Sequence, residues 1–181
     1  MKQFLEKIKP LLKTAKVIKF SSRYNSAIQN IVCELLNVKS VFELNDKFEG
    51  VRFHEKYSNE VFGFLTVEKF LNDVNPDINK VSHKKDYCAY IEIKKKKIRI
   101  ITSNFREFPI IERKKIEPTI FVLKKDHLNF WIIGVATKKV LKTYLANNTK
   151  EKSKKTIFTD FDKLETFENS DELSIIVDKN Q

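Results

Sequence analysis

The segment that constrains the fold most runs over residues 86–103, D-Y-C-A-Y-I-E-I-K-K-K-K-I-R-I-I-T-S. Two runs of β-branched and aromatic residues flank four consecutive lysines, and such side chains suit a pleated, half-buried surface. Strand side chains alternate between faces. The first run therefore places Asp86, Cys88, Tyr90, Glu92 and Lys94 on one face and Tyr87, Ala89, Ile91 and Ile93 on the other. A single strand through the lysines would exceed the usual length of roughly 3–10 residues. The expectation is a hairpin of 87–93 and 98–102 that turns on Lys94, Lys95, Lys96 and Lys97. One long strand stays open as the alternative, because two-residue hairpin turns favour Asn and Gly, which are absent here.

The rest of the chain supplies elements to pack on that hairpin. Residues 2–19 carry Phe4, Leu5, Ile8, Leu11, Leu12, Ala15 and Ile18 at intervals of three and four, which predicts a basic amphipathic helix. Pro10 offers an alternative start at its first turn. A second helix is expected over 25–36, strands over 41–44 and 51–53, and a further helix over 60–71 that N-D-V-N-P-D ends. Beyond the hairpin, 119–123 and 130–135 read as strands. The second is a near-continuous apolar run, as a strand buried on both faces requires, and Gly134 within it marks a bulge or a close approach. Ala136 and Thr137 open a helix with Val140, Leu141, Tyr144 and Leu145 inward. An edge strand over 157–161, short helical turns around Leu164, Phe167 and Leu173, and a last strand over 173–177 complete the expected elements. The fold class is α/β, a mixed central sheet of about four to six strands flanked by helices.

Length and charge divide the chain unevenly. At 181 residues with fifteen Phe it has enough apolar mass for one core. One basic domain over 1–146 is expected, with a polar linker and acidic C-terminal extension over 147–181 packing on it. The net charge is +11; residues 151–181 carry eight acids against five lysines, a balance of −3, which leaves +14 in residues 1–150. A domain this basic draws polyanions, nucleic acid above all, with DNA expected over RNA. A homodimer or larger assembly is compatible with the sequence. No run is apolar enough to span a bilayer, and the charged N-terminus does not read as a signal peptide. Cys33 and Cys88 sit in apolar surroundings without metal or framework spacing. They read as reduced core thiols of a cytoplasmic protein. His54, His83 and His127 are isolated and read as surface residues. Gly-rich phosphate loops and nucleophile elbows are missing.

The phrases D-Y-C-A-Y-I-E-I-K and P-T-I-F-V-L-K-K-D-H-L-N-F-W-I-I-G-V-A-T-K-K-V-L, with the tail K-K-T-I-F-T-D-F-D-K-L-E, resemble the restriction-endonuclease-like PD-(D/E)xK nucleases, small phage and bacterial members in particular. The resemblance covers roughly residues 25–145 and implies a Mg²⁺-dependent endonuclease acting on DNA. Two carboxylates hold the metal, which activates water and offsets charge on the phosphate, and a lysine stabilises the transition state. Two registers fit. In the literal one, Pro76 and Asp77 are the "PD", Glu92 and Lys94 the "ExK", and Glu34 the assisting helix acid. In the hairpin register, Asp86 takes the first position and I-R-I-I-T-S the second, so that Arg99 replaces the acid and Ile101 the lysine. Such a protein would bind no metal and would serve as a nucleic-acid-binding or structural subunit, or as an inhibitor docking on an acidic partner. Asp86 shares a face with Glu92 and is a ligand candidate in both registers. The candidate catalytic set is thus Asp86, Glu92 and Lys94, and the metal set Asp77, Asp86, Glu92 and Glu34. Lys84, Lys85, Lys95, Lys96, Lys97 and Arg99 form the basic cluster for a phosphate backbone. The competing reading of Glu92 and Lys94 is a solvated strand face.

Overall fold

The computed structural model describes residues 2–47, 49–78, 89–148 and 153–178. A five-stranded mixed sheet in the order β1-β6-β5-β3-β2 organises them. Its strands are β1 (Val17–Lys19), β2 (Tyr90–Ile93), β3 (Lys96–Asn104), β5 (Thr119–Lys124) and β6 (Asn129–Ala136). β2 and β3 form the expected antiparallel hairpin, β3 runs parallel to β5, and β6 is antiparallel to both β5 and β1. Between β3 and β5 the chain leaves the sheet through β4 (Ile110–Glu112), which pairs with β7 (Lys155–Ile157) as a separate two-stranded sheet. The α/β class with a mixed sheet and flanking helices is the architecture observed.

Both faces of the sheet are covered, which is why β5 and β6 are apolar almost throughout. One face carries α2 (Ser22–Leu36), α3 (Val41–Asp46), α4 (Gly50–Asn72) and α6 (Ser170–Asp178). Its core joins Ile28, Val32, Val61, Phe62 and Leu65 to Ile98, Ile100, Ile120 and Val122. The other face carries α1 (Lys2–Leu12), α5 (Lys138–Asn147) and a 3-10 turn at Phe161–Lys163. There Phe4, Ile8, Leu141, Tyr144, Phe158 and Phe161 pack on Phe121, Leu123 and Ile133. α4 crosses the first face through Gly63. A Cβ added to that residue would lie 2.0 Å from Thr102 Oγ1, so only hydrogen permits this approach.

Several elements depart from expectation, each because a tertiary partner overrides a local signal. The 2–19 helix stops at Leu12, and Val17–Lys19 becomes the edge strand β1 on Trp131, Phe130 and Asn129. Pro10 lies inside α1, close to its end, and does not start it. The strand expected over 41–44 is helix α3, and that over 51–53 belongs to α4. Phe53, Tyr57, Val61 and Leu65 recur every fourth residue and line one helical stripe, with Phe53 stacked on Tyr57 at 5.9 Å. The final strand over 173–177 is helix α6, whose Leu173, Ile176 and Val177 are buried at a three- and four-residue spacing that fits a helix. The 157–161 strand is shorter and earlier, as β7.

Two local readings hold. Gly134 sits at φ +140°, where the β5–β6 register shifts between Phe121 and Val122. The backbone of Glu165 approaches there and exchanges hydrogen bonds of 2.8 and 3.0 Å with Val135. Thr137 caps α5, its hydroxyl accepting from Val140 N–H at 3.3 Å.

Candidate functional site

The chain turns on two residues. Lys94 and Lys95 have φ 50° and 67°, the double left-handed pattern of a type I′ hairpin turn. Ile93 pairs with Lys96, Glu92 with Lys97, Ile91 with Ile98 and Tyr90 with Arg99. Two lysines occupy positions that favour Asn and Gly because strand pairing on both sides fixes the loop at two residues. The left-handed region costs an L residue about 1–2 kcal/mol. Lys95→Gly is therefore expected to raise stability by about 1 kcal/mol, read as a rise of about 2–4 °C in Tm by calorimetry. An unchanged or lower Tm would show that the strain is relieved elsewhere.

The turn separates the proposed pair. Glu92 stands exposed on β2 opposite Lys97, while Lys94 is the first turn residue, so they do not extend one strand face. Lys94 Nζ lies 3.0 Å from Asp171 and Lys96 Nζ pairs with Asp178, both acids on α6. Half of the lysine run is thereby matched to the acidic C-terminal helix. Exposed pairs of this kind add little stability; α6 is held by its buried Leu173, Ile176 and Val177. Lys95 and Lys97 remain exposed, and Lys97 Nζ sits 4.0 Å from the Tyr90 ring centroid.

Arg99 lies inward of the turn and is mostly covered, its side chain 15% exposed. Its Nη2 is 3.3 Å from Glu112 Oε1, and Lys115 Nζ is 3.3 Å from Glu112 Oε2. Burial pushes the Glu112 carboxyl up, but the hydrogen bond from Lys115 and the charge of Arg99 outweigh it and hold the group below its usual range. Nearby, burial raises the pKa of Glu60 against the pull of Lys56, Arg99 and Lys115. Ile101 packs into the second core. In the hairpin register, the two positions where the resemblance expects an acid and a lysine thus hold a paired guanidinium and a packed aliphatic chain.

The carboxylates of the literal register do not assemble. Asp77 is exposed and borders a cavity with Lys19 of β1 and Tyr24 of α2. β1 and β2 are the two outer strands, so Asp77 and Glu92 sit at opposite edges. The crossing spans about 19 Å at the usual strand spacing. Glu34 is exposed near the far end of α2, about 15 Å along the helix from Tyr24. Oxygen ligands of Mg²⁺ lie near 2.1 Å; carboxylates this dispersed do not fit one ion. Among the described residues, no group of three His, Cys, Asp or Glu could hold a metal. Asp86, Lys84 and Lys85 lie outside the described residues, as do Cys88 and His83.

A polar cluster with no counterpart in the sequence motifs sits where the parallel strands β3 and β5 end. Lys124 donates to Asn59 at 3.0 Å, and Asn104 donates to Glu55 at 3.4 Å and Glu107 at 3.1 Å. His54 is half-buried, not at the surface, and its Nε2 is enclosed without a hydrogen-bond partner among the described residues. Burial lowers its pKa, Lys124 lowers it further and Glu55 opposes both. Burial likewise lowers Lys124, against Glu55 and Asp126. Burial and Glu60 push Tyr57 up to about 12. The spacing of His54, Glu55, Ser58 and Asn59 reveals the cluster once α4 is known to begin at Gly50.

These features define an α/β protein with a curled mixed sheet, helices on both faces and a lysine hairpin at one edge. No family model, no curated protein and no solved structure matches the chain. Among the described residues no helix is long and apolar enough to cross a membrane.

Proposed function

We propose that this protein binds nucleic acid, DNA in the first place, on a restriction-endonuclease-like scaffold and does not hydrolyse it. The observation that carries the reading is the convergence of Lys97 and Lys138 on one cavity of about 310 Å³, which Pro118, Val177 and the Asp178-paired Lys96 complete. Lys97 and Lys138 are exposed. They come from the hairpin and from the first turn of α5, so together they present cations on a surface rather than along one strand. Phosphate oxygens draw such cations and displace counterions. The excess of +14 in residues 1–150 supplies the long-range attraction. Arg99 and Ile101 in the hairpin register, and the separation of Asp77, Glu34 and Glu92, support the non-catalytic form.

Fluorescence anisotropy with labelled single-stranded DNA, duplex DNA and RNA tests this. Affinity should fall steeply between about 50 and 200 mM salt. Replacing Lys97 and Lys138 together by Glu should weaken binding at least about tenfold, near 1.4 kcal/mol, and flatten the salt slope by about two. Glu92→Ala should bind as the parent does. Absence of salt-dependent binding to every form sinks the proposal. Mg²⁺- or Mn²⁺-dependent cleavage lost in Glu92→Ala overturns it in favour of an endonuclease.

A further inference from the structure

At the sheet edge opposite the hairpin, a cavity of about 640 Å³ opens between β1, the first turn of α2, the end of α4 and the residues that follow it. Lys19, Arg23 and Lys69 line it, one from each of the three elements, with Asp77 as the single acid among the described residues and Phe20 and Tyr24 as aromatic walls. Lys19 and Arg23 lie four residues apart, and folding brings Lys69 to them from fifty residues further along the chain. Their net formal charge with Asp77 is +2. We infer that this cavity is a binding site for a phosphate monoester of nucleotide size.

The geometry is prepared for such a ligand. Lys69 Nζ donates to the Lys19 carbonyl at 2.9 Å and to Asn75 Oδ1 at 2.8 Å, and rests 5.4 Å from the Phe20 ring centroid. Two of its three donors are thus committed to holding the ammonium in place. The Tyr24 hydroxyl donates to the Pro76 carbonyl at 2.8 Å and pins the wall that carries Asp77. Phe20 and Tyr24 meet edge to face at 5.1 Å, which fixes both rings. Arg23 and Lys19 are exposed at the rim and form no ion pair among the described residues. Three cations converging against one carboxylate repel one another, and an incoming anion relieves that repulsion.

Charge selects the ligand class. A phosphate monoester carries about −1.5 to −2 at neutral pH, which matches +2. A backbone phosphodiester carries half that, so interior nucleic-acid phosphates are the poorer match. The volume falls within the range of about 300–1,000 Å³ typical of small-ligand sites, room for a ring beside the phosphate. Phe20 is itself buried; the partly exposed Tyr24 ring is the aromatic side that a flat body such as a base would meet. A cavity of about 600 Å³ lined by Lys16, Phe70 and Glu168 has no such selectivity, because Lys16 and Glu168 cancel there. The inference is independent of the hairpin reading, since the two sites lie at opposite edges.

Calorimetric titration of the full chain with inorganic phosphate, adenosine 5′-monophosphate and adenosine tests it. The monophosphate should bind at least about tenfold more tightly than the nucleoside, with inorganic phosphate between. Arg23→Ala combined with Lys19→Ala should weaken the monophosphate at least about tenfold while thermal melting stays unchanged. Asp77→Asn should strengthen it. The Lys97→Glu and Lys138→Glu protein should bind it as the parent does, which separates failure here from failure of the hairpin proposal. Oligonucleotides with and without a 5′-phosphate identify the source. A preference confined to the phosphorylated oligonucleotide assigns the site to nucleic-acid ends, and equal binding of the mononucleotide assigns it to a free nucleotide. Equal affinity for nucleotide and nucleoside, or full binding by the Arg23 and Lys19 variant, overturns the inference.

Discussion

Phe130→Ala is expected to lower the free energy of unfolding by about 3–5 kcal/mol in urea titration. Phe130 is fully buried in the middle layer. Its ring stacks on Phe62 at 5.0 Å and meets Phe20 edge to face at 5.9 Å. That one side chain therefore joins β6 to α4 and to the segment that follows β1. Truncation removes a large apolar surface and leaves a cavity whose walls belong to three elements that cannot close together. Domains of this size have about 5–15 kcal/mol in total, so the loss is a large fraction of what there is. Phe42→Ala is the matched control, since Phe42 is 84% exposed. Its expected change is within about 0.5 kcal/mol. A loss below about 1.5 kcal/mol at Phe130 would mean that the α4 face of the sheet can collapse around the gap.

Gly63→Ala is expected to destabilise by about 2–3 kcal/mol, against the trend for helices. In an exposed helix interior the same change is worth about 1 kcal/mol in the stabilising direction. Here the new Cβ would stand 2.0 Å from Thr102 Oγ1 and 3.3 Å from Ile100 Cγ2. Either α4 lifts from β3 or Thr102 rotates its branched side chain into its neighbours, and overpacking of that kind costs about 1–3 kcal/mol. The hydroxyl of Thr102 is enclosed without a partner among the described residues, so removing it takes away the clash at little cost in hydrogen bonding. Thr102→Ala should therefore rescue Gly63→Ala, and the double-mutant cycle should show a coupling of about 1–2 kcal/mol. A neutral Gly63→Ala, or additive changes, would show that α4 has slack over the sheet.

The two substitutions probe the contact between α4 and the sheet, and that contact is the least legible part of the sequence. Residues 60–71 announce a helix by their spacing, yet V-R-F at 51–53 reads as a strand until Phe53 stacks on Tyr57 along one side of α4. Short apolar runs carry no period of their own. The same ambiguity hides β1, where Ile18 continues the period of α1 but Val17, Ile18 and Lys19 pair with β6. It also hides α6, where L-S-I-I-V satisfies both a strand and a helix. The strands β5 and β6 are plain, because a run buried on both faces has little choice of partner. Gly134 is plain as well, since a lone glycine late in such a run marks either a bulge or a close backbone approach, and both occur there.

For the candidate site, the residue types are legible and their relations are not. The sequence marks Glu92, Lys94, Asp77 and Arg99 as chemically interesting. Whether Glu92 and Lys94 face the same way depends on one turn, and whether Asp77 meets Glu92 depends on strand order. His54, Lys124 and Asn104 come from three elements and carry no shared signal. The link of Lys19 and Arg23 to Lys69 is invisible for the same reason.

The sequence by itself determined that residues 87–93 and 98–102 are β-rich, that residues 130–135 read as a strand buried on both faces, and that the positive charge sits in the first 150 residues. These follow from alternation, apolar periodicity and composition, which are local or additive properties. Only the tertiary structure decided that Lys94 and Lys95 make the turn, that α6 takes up Lys94 and Lys96, and that Asp77 stands beside Lys19 instead of Glu92. Those outcomes rest on strand order and on which faces meet. A pairing between residues far apart in the chain leaves no period for the sequence to show.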